Sequence, residues 1–272
     1  MMLGNRTMLT ELELDRLCVV LVRARNSGNI GAAARAMRDF GFGRLRVVNE
    51  YTVPFEDARS AVDASDVLAK ANMYASVAEA VADCTLVVGT TAVGERTLEH
   101  ELLPLPQAGT RIHAELTRSA DSGAESGPRV ALLFGSEKTG LSNEELSHCH
   151  WLLTIPMHQI AGERHVSMNL GQAVAVCLYE LVREAQADVP DAISGPNEDK
   201  PEPAAAATLE RVTELLSEVM EATEYTRRHA ANSEPAQVRR LVRRIGMDAV
   251  DASVWMGILR QVLWKLGQPR EK

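Results

Sequence analysis

Through the first two thirds of the chain, short apolar runs end at glycine-rich or polar turns; the last quarter changes to helical spacing. Residues 17–22 and 130–134 are unbroken apolar runs, and 45–48, 85–89 and 151–155 are nearly so. Strands buried on both faces have this composition, and they belong to a parallel sheet covered by helices. Residues 23–31 (RARNSGNIG) form the first turn, rich in residues that tolerate unusual backbone angles. Ala-rich 32–40 then reads as a helix stopped by Gly41 and Gly43. Strand, glycine turn, helix and strand make a βαβ unit, so the expected class is α/β with a parallel sheet flanked by helices. Residues 61–82 read as helical segments around a short connection, 105–120 as a helix and 121–128 as a polar loop.

The densest stretch is 129–181: a strand, the polar turn Gly135-Ser136-Glu137-Lys138-Thr139-Gly140-Leu141, a short helix, and a second run that stops at Pro156. After a loop, Ser167-Met168-Asn169-Leu170-Gly171 opens a long apolar helix. Strand ends of α/β proteins hold ligands because backbone groups are free there. Ser142 and Glu145 fit a capping box and are assigned to structure. Glu137 precedes that cap in a glycine-flanked turn and can face a pocket. Ser167 is a candidate N-cap, which leaves Asn169 as a polar group the helix does not need. Thr90-Thr91-Ala92 ends the 85–89 strand and reads either as an ordinary turn or as contacts for a small polar ligand. Arg35 lies one turn after Gly31 in a small, apolar segment and reads either as surface or as aimed at a site or interface. The glycine spacing gives neither GxGxxG nor a GKS/GKT loop. His148-Cys149-His150 are adjacent and diverge on any regular element, so no metal is expected.

The domain plan that follows is a tail at 1–14 (with Met8 an alternative start), a main domain at 15–187, a linker at 188–203 and a helical C-terminal domain at 204–272. Three amphipathic helices are expected in the last, at 205–225, 235–244 and 248–266. So few helices bury little, so this piece packs on the main domain or on a second subunit.

Composition adds three constraints. Aromatics are 4% of the 272 residues, so a cavity built on base-stacking aromatics is not expected, and Ala, Val and Leu fill the core instead. The four cysteines are scattered without a CxxC pair, which fits a reducing cytoplasm rather than a disulfide framework. No apolar run reaches the ~18 residues that span a bilayer. The net charge of −8 argues against nucleic acid, but arginines cluster near the start and again between 227 and 244. Those clusters read either as solvated helix faces or as a phosphate-binding surface.

Taken in order, Asn29-Ile-Gly31-Ala-Ala-Ala34-Arg35, Leu133-Phe134-Gly135-Ser-Glu137-Lys-Thr-Gly140-Leu141, and Ile155-Pro156-Met157 through Ser167-Met168-Asn169-Leu170 resemble the three motifs of the SpoU/TrmH branch of the SPOUT methyltransferases. The resemblance implies a SPOUT fold with a C-terminal deep trefoil knot, which general topology rules would not suggest. It implies S-adenosylmethionine bound at Thr90, Thr91, Ala92, Gly135, Gly140, Ile155, Met157, Val166, Ser167 and Met168, and a homodimer in which Arg35 completes the partner's site. The implied reaction is 2′-O-methylation of tRNA ribose at nucleotide 32 of the anticodon loop. Ribosomal RNA and the wobble ribose are alternative targets, and a non-catalytic RNA-binding protein is a further reading. Arg35 would hold phosphate or act as base, Ser167 and Asn169 would orient the ribose, and Asn29 and Glu137 would hold Arg35 and the loops. RNA contacts are expected from Arg23, Arg25, Arg227, Arg228, Arg239, Arg240, Arg243 and Arg244. The loop 158–166 is longer and more polar than the family's link.

Overall fold

The computed structural model describes residues 9–49, 53–60, 66–92, 99–118, 127–158, 168–183 and 202–267. Seven strands form one sheet: β1 (Leu17–Val22), β2 (Arg44–Val48), β3 (Asn72–Tyr74), β4 (Leu86–Thr90), β5 (Leu102–Pro104), β6 (Val130–Phe134) and β7 (Trp151–Thr154). Their order is β3-β2-β1-β6-β4-β7-β5, and every neighbouring pair is parallel. Alternation divides each strand between two cores. Leu17, Val19 and Leu21 face one cluster with Leu132, Phe134 and Leu153; Cys18, Val20 and Val22 face the other with Ala131, Leu133 and Leu152. Burial on both sides is why these runs have no polar position to spare.

The first face is covered by α2 (Ser27–Asp39), α3 (Val53–Ser60), α4 (Asp66–Ala69), α6 (Leu105–Leu116) and α8 (Leu170–Val182). Before them, α1 (Glu11–Leu14) is a single turn closed by a Thr10/Glu13 capping box, so the last residues of the expected tail are helical. Among the described residues of the main body, the second face carries two four-residue helices, α5 (Val77–Ala80) and α7 (Asn143–Leu146). The first C-terminal helix fills the remaining room. In α9 (Ala206–Ala222), Ala206 joins the second core, its amide donating to Cys84 O at 2.8 Å and that of Ala207 to Ala82 O at 3.1 Å. With α11 (Pro235–Ile245) and α12 (Ala249–Leu266) it builds a third apolar cluster around Leu209, Val212, Leu215, Val242 and Leu259, while the short α10 (Tyr225–Arg228) between α9 and α11 has no buried residue.

Three expectations change. Strands β3 and β5 occupy stretches with no strand signal. Helix α2 starts at Ser27 rather than near 32, with Asn26 as N-cap accepting from Gly28 N and Asn29 N. Helix α8 is capped by Asn169, whose Oδ1 accepts from Gly171 N and Gln172 N; Ser167 lies outside the described residues.

Candidate active site

Parallel strands end in backbone groups that only turns or ligands can satisfy. Since β1, β6, β4 and β7 are consecutive neighbours, the turns after them line one edge, spaced by about 4.8 Å per strand. That edge brings together the Arg23-to-Asn29 turn, Gly135 to Gly140, Thr90 to Ala92, and Ile155 to Met157. Thr90 Oγ1 donates to Leu133 O at 2.9 Å and Thr91 N to Leu153 O at 3.0 Å, tying the end of β4 to both neighbours. Ile155 and Met157 are half-buried.

The turn after β6 is built by its glycines. A Cβ on Gly135 would lie 2.2 Å from Gly140 C and Leu141 N, so the backbone passes where a side chain would stand. Gly140 has φ +66°, and its amide closes onto Ser136 O at 2.8 Å. Arg23, a non-glycine residue at φ 55°, ends β1 and reaches across this turn. Its guanidinium holds Glu145 through Nε to Oε1 (2.6 Å) and Nη2 to Oε2 (2.9 Å), and Nη2 also donates to Gly140 O at 3.0 Å. Arg23, expected on an RNA surface, thus clamps the Gly135–Leu141 turn to α7, whose Ser142/Glu145 capping box forms as expected. Burial alone would raise the Glu145 carboxyl, but Arg23 and the Ser142 amide outweigh it and hold it below the usual carboxylate range.

The three motif segments meet in one hydrogen-bonded chain. Asn169 Nδ2 donates to Asn29 Oδ1 at 2.8 Å, Asn29 Nδ2 donates to Glu137 Oε1 at 3.0 Å, and Glu137 Oε2 accepts from Arg25 N at 3.3 Å. Burial pushes Glu137 up, yet Asn29 and neighbouring amides overcome it, so the carboxyl stays below its ordinary value and ionised at neutral pH. Asn29 and Glu137 line a cavity of about 470 Å³ with Arg25, Asn26, Ser27, Ser136 and Lys138. Asn26 was not singled out from sequence; its signal is an Asn-Ser-Gly start to a helix that begins five residues earlier than the alanine run suggested. Close by, a Cβ on Gly171 would meet Ala32 Cβ at 2.6 Å, which shows how closely the start of α8 lies on α2. Arg35 stands on the exposed side of α2, at helical spacing from exposed Gly28 and Ala32. Met168 is half-buried just before Asn169, whereas Val166 and Ser167 lie outside the described residues.

The C-terminal arginines separate into two groups. Arg239 donates to both oxygens of Glu210 at 3.0 Å, to Glu144 at 3.1 Å and to Ser147 Oγ at 2.8 Å. Arg240 pairs with Glu99 at 2.8 Å. Arg243, 4% exposed, donates to Ala206 O and stands 3.7 Å from Glu210. These three, expected to contact RNA, lie against protein groups where α11 meets the main body. Arg227, Arg228 and Arg244 remain exposed. The same seam holds His148, 3.6 Å from Glu144 and 3.9 Å from Glu210; burial, then Arg239 and Arg243, push it down to about 3. His150 turns the other way, its Nδ1 accepting from Val87 N at 3.0 Å. Among the described residues, no three His, Cys, Asp or Glu side chains converge to hold a metal ion, and no helix is long and apolar enough to cross a membrane.

Known proteins resemble this chain in sequence and fold. The model of the SpoU rRNA Methylase family matches residues 16–179. A tRNA (cytidine/uridine-2′-O-)-methyltransferase TrmJ of Pectobacterium atrosepticum is 36% identical over 250 residues, 92% of this chain and 97% of that protein. The TrmJ of Escherichia coli O1:K1 / APEC is 34% identical over 256 residues, 94% and 96% of the two chains. The crystal structure of TrmJ from Z. mobilis ZM4 superposes with a TM-score of 0.69 at 26% identity, over 90% of this chain and 98% of that one.

Proposed function

The chain belongs to the SpoU methylase family, and on that footing we propose that it is an S-adenosylmethionine-dependent 2′-O-ribose methyltransferase acting on tRNA, at nucleotide 32 of the anticodon loop. The observation that carries the reading is the Asn169–Asn29–Glu137 chain, which gathers one polar side chain from each motif at the edge of a cavity. A domain that only gripped phosphate would not need it. Relatives named for tRNA ribose methylation, matched over nearly their whole length, support tRNA over ribosomal RNA.

The strand-end strip fits the cofactor. Half-buried Ile155 and Met157 offer apolar surface to a nucleoside base, while Thr90, Thr91, Ala92 and Gly135 offer backbone groups and small hydroxyls. When bound there, S-adenosylmethionine supplies an electrophilic methyl group on a sulfonium. Met168 would border the pocket on the α8 side, Val166 and Ser167, outside the described residues, are further expected contacts, and Gly140 shapes the turn beside it.

A ribose 2′-hydroxyl is a poor nucleophile and must lose its proton as it attacks, and with no stronger base placed beside it among the described residues that proton would pass to solvent water. Asn169 and Ser167 would orient that hydroxyl, and Glu137, ionised, fixes Asn29 so that Asn169 cannot swing away. Arg35 would hold the phosphate of the target nucleotide and stabilise charge developing on the oxygen; a guanidinium gives up its own proton too reluctantly to be an efficient base. Alignment of the oxygen with the methyl group is the main contribution expected of such a site. Arg35 would do this for the partner of a homodimer. Helix α8 supports that, since Gln172, Ala175, Val176 and Tyr179 share one incompletely buried face beside exposed Ala32 and Arg35 of α2. A C-terminal deep trefoil knot, and work in the cytoplasm where tRNA is found, belong to the same proposal.

Calorimetry with S-adenosylmethionine, followed by mapping of 2′-O-methyl groups in total tRNA and rRNA, tests it. Binding with methylation at tRNA nucleotide 32 is expected. Methylation confined to rRNA would overturn the substrate, and no binding by the folded protein would overturn the reaction.

A further inference from the structure

The C-terminal helices enclose a second cavity, far in sequence from the motif loops, with a volume of about 480 Å³, within the range of small-ligand sites. Leu216 and Met220 of α9 and Val238 and Leu241 of α11 give it apolar walls; Asn232, Gln237 and Arg244 add two carboxamides and a cation. Tyr225 also lines it. This ring lies 4.6 Å from that of His229 between centroids, and Asn232 Nδ2 donates to its hydroxyl at 3.4 Å. Glu224, left-handed at φ 57°, ends the run of α9 and starts α10, which carries the tyrosine. Tyr225 is 38% and Leu241 46% exposed, so apolar surface at this cavity is left to water.

Resting on the reading of RNA as substrate, we propose that this cavity receives one unpaired nucleotide of the RNA, its base against Tyr225 and the apolar walls and its phosphate at Arg244 or exposed Arg228. Unstacked bases in RNA loops are recognised by this combination of an aromatic face, amide groups for the base edge and a cation for the backbone. A duplex region offers no free base and would not enter. The chain's scarce aromatics make the placement of a half-exposed tyrosine at a polar-rimmed cavity informative. Arg244 differs from Arg239 and Arg243 of the same helix, which are held by Glu210.

Fluorescence anisotropy of the full chain with a tRNA transcript and with a fully paired RNA duplex tests the proposal without relying on turnover. Tyr225→Ala, and Leu241→Trp to fill the cavity, should each raise the tRNA Kd roughly five- to hundredfold, the range for losing one stacked base. Duplex affinity, melting temperature and S-adenosylmethionine affinity should stay put, and Tyr225→Phe should bind tRNA like the parent. Unchanged tRNA affinity in both disruptive variants overturns the inference. So does a parallel loss on the duplex, or a changed oligomeric mass with tRNA affinity intact, which would make the occupant a second copy. Failure of the parent protein to methylate RNA would instead strike the functional reading, and the anisotropy result would still decide the cavity.

Discussion

Asn169 has two tasks that substitution can separate. Its Oδ1 caps α8 by accepting from Gly171 N at 2.9 Å and Gln172 N at 3.4 Å; its Nδ2 holds Asn29 at 2.8 Å. Asn169→Ala removes both. Loss of the cap costs about 0.5–2 kcal/mol, and loss of a solvent-accessible hydrogen bond about 0.5–1.5 kcal/mol. Together these lower the melting temperature by several degrees, at roughly 2–4 °C per kcal/mol for a chain of this size. Asn169→Asp keeps a capping oxygen and gains about 0.3–1 kcal/mol from a negative charge at a helix N-terminus, but it can no longer donate to Asn29 and sets a carboxylate near ionised Glu137. Its melting temperature should therefore match the parent within a few degrees. Its methyl transfer should nevertheless fall about tenfold or more, since displacing a reacting group by about 1 Å can cost about a hundredfold. Differential scanning fluorimetry and a filter-based methyl-transfer assay on tRNA read the two quantities. Parent-like turnover by Asn169→Asp would show that the residue is a helix cap and nothing more, and the hydrogen-bonded chain would lose its place in the argument.

Arg35→Ala should reduce methyl transfer by about a hundredfold or more, the cost of removing a donor aimed at developing charge, with melting temperature and cofactor heat near the parent's; ordinary turnover would remove Arg35 from the reaction. Arg23→Ala leaves Glu145, 8% exposed, without its bidentate partner and should cost about 1–3 kcal/mol of stability. Arg23→Lys should restore only part of this, because an ammonium cannot make both contacts; full rescue in chemical denaturation would contradict the clamp. His148 titrates near 6.5 when exposed and is pushed down to about 3 in the fold, so below pH 6.5 the unfolded chain takes up a proton that the folded chain refuses. Its contribution is complete above that pH and falls on acidification by about 1.4 kcal/mol per pH unit. His148→Gln should flatten the stability profile between pH 6.5 and 5 by about that slope, and an unchanged slope would mean the ring is accessible.

Much of the sheet was legible because strands buried on both faces leave little room for polar residues, and those positions are local. Strands β3 and β5 were not, since three residues at a sheet edge, half-exposed, carry no period. Glu137 and Asn169 could be singled out as polar groups in odd places, whereas Asn29 entered only through the family resemblance. Their meeting could not be derived from spacing, because the two bonds that join them close over 108 and 140 residues. The left-handed Arg23 gave no signal at all: the turn looked as though Gly28 and Gly31 would absorb the unusual angles, whereas both lie inside α2.

The arginines show most clearly what sequence withholds, and they allow one more test. A charge on a helix is legible, but the carboxylate it finds depends on which surfaces dock. Here α9 packs against the second face of the sheet and α11 against α9 and α7, and Glu144 and Glu210 draw Arg239 and Arg243 inward. A guanidinium already neutralised by protein cannot release counterions from RNA, whereas an exposed one that meets phosphate can. Arg244→Gln and Arg228→Gln should each therefore shrink the slope of log Kd for tRNA against log salt by about 0.7–0.9. Arg239→Gln and Arg243→Gln should lower the melting temperature, because Glu210 and Glu144 lose partners in the seam, yet leave that slope alone. If the slope instead drops for the seam arginines and holds for the exposed pair, the C-terminal helices meet RNA through the face that this fold buries, and their docking on the sheet cannot be the RNA-binding arrangement.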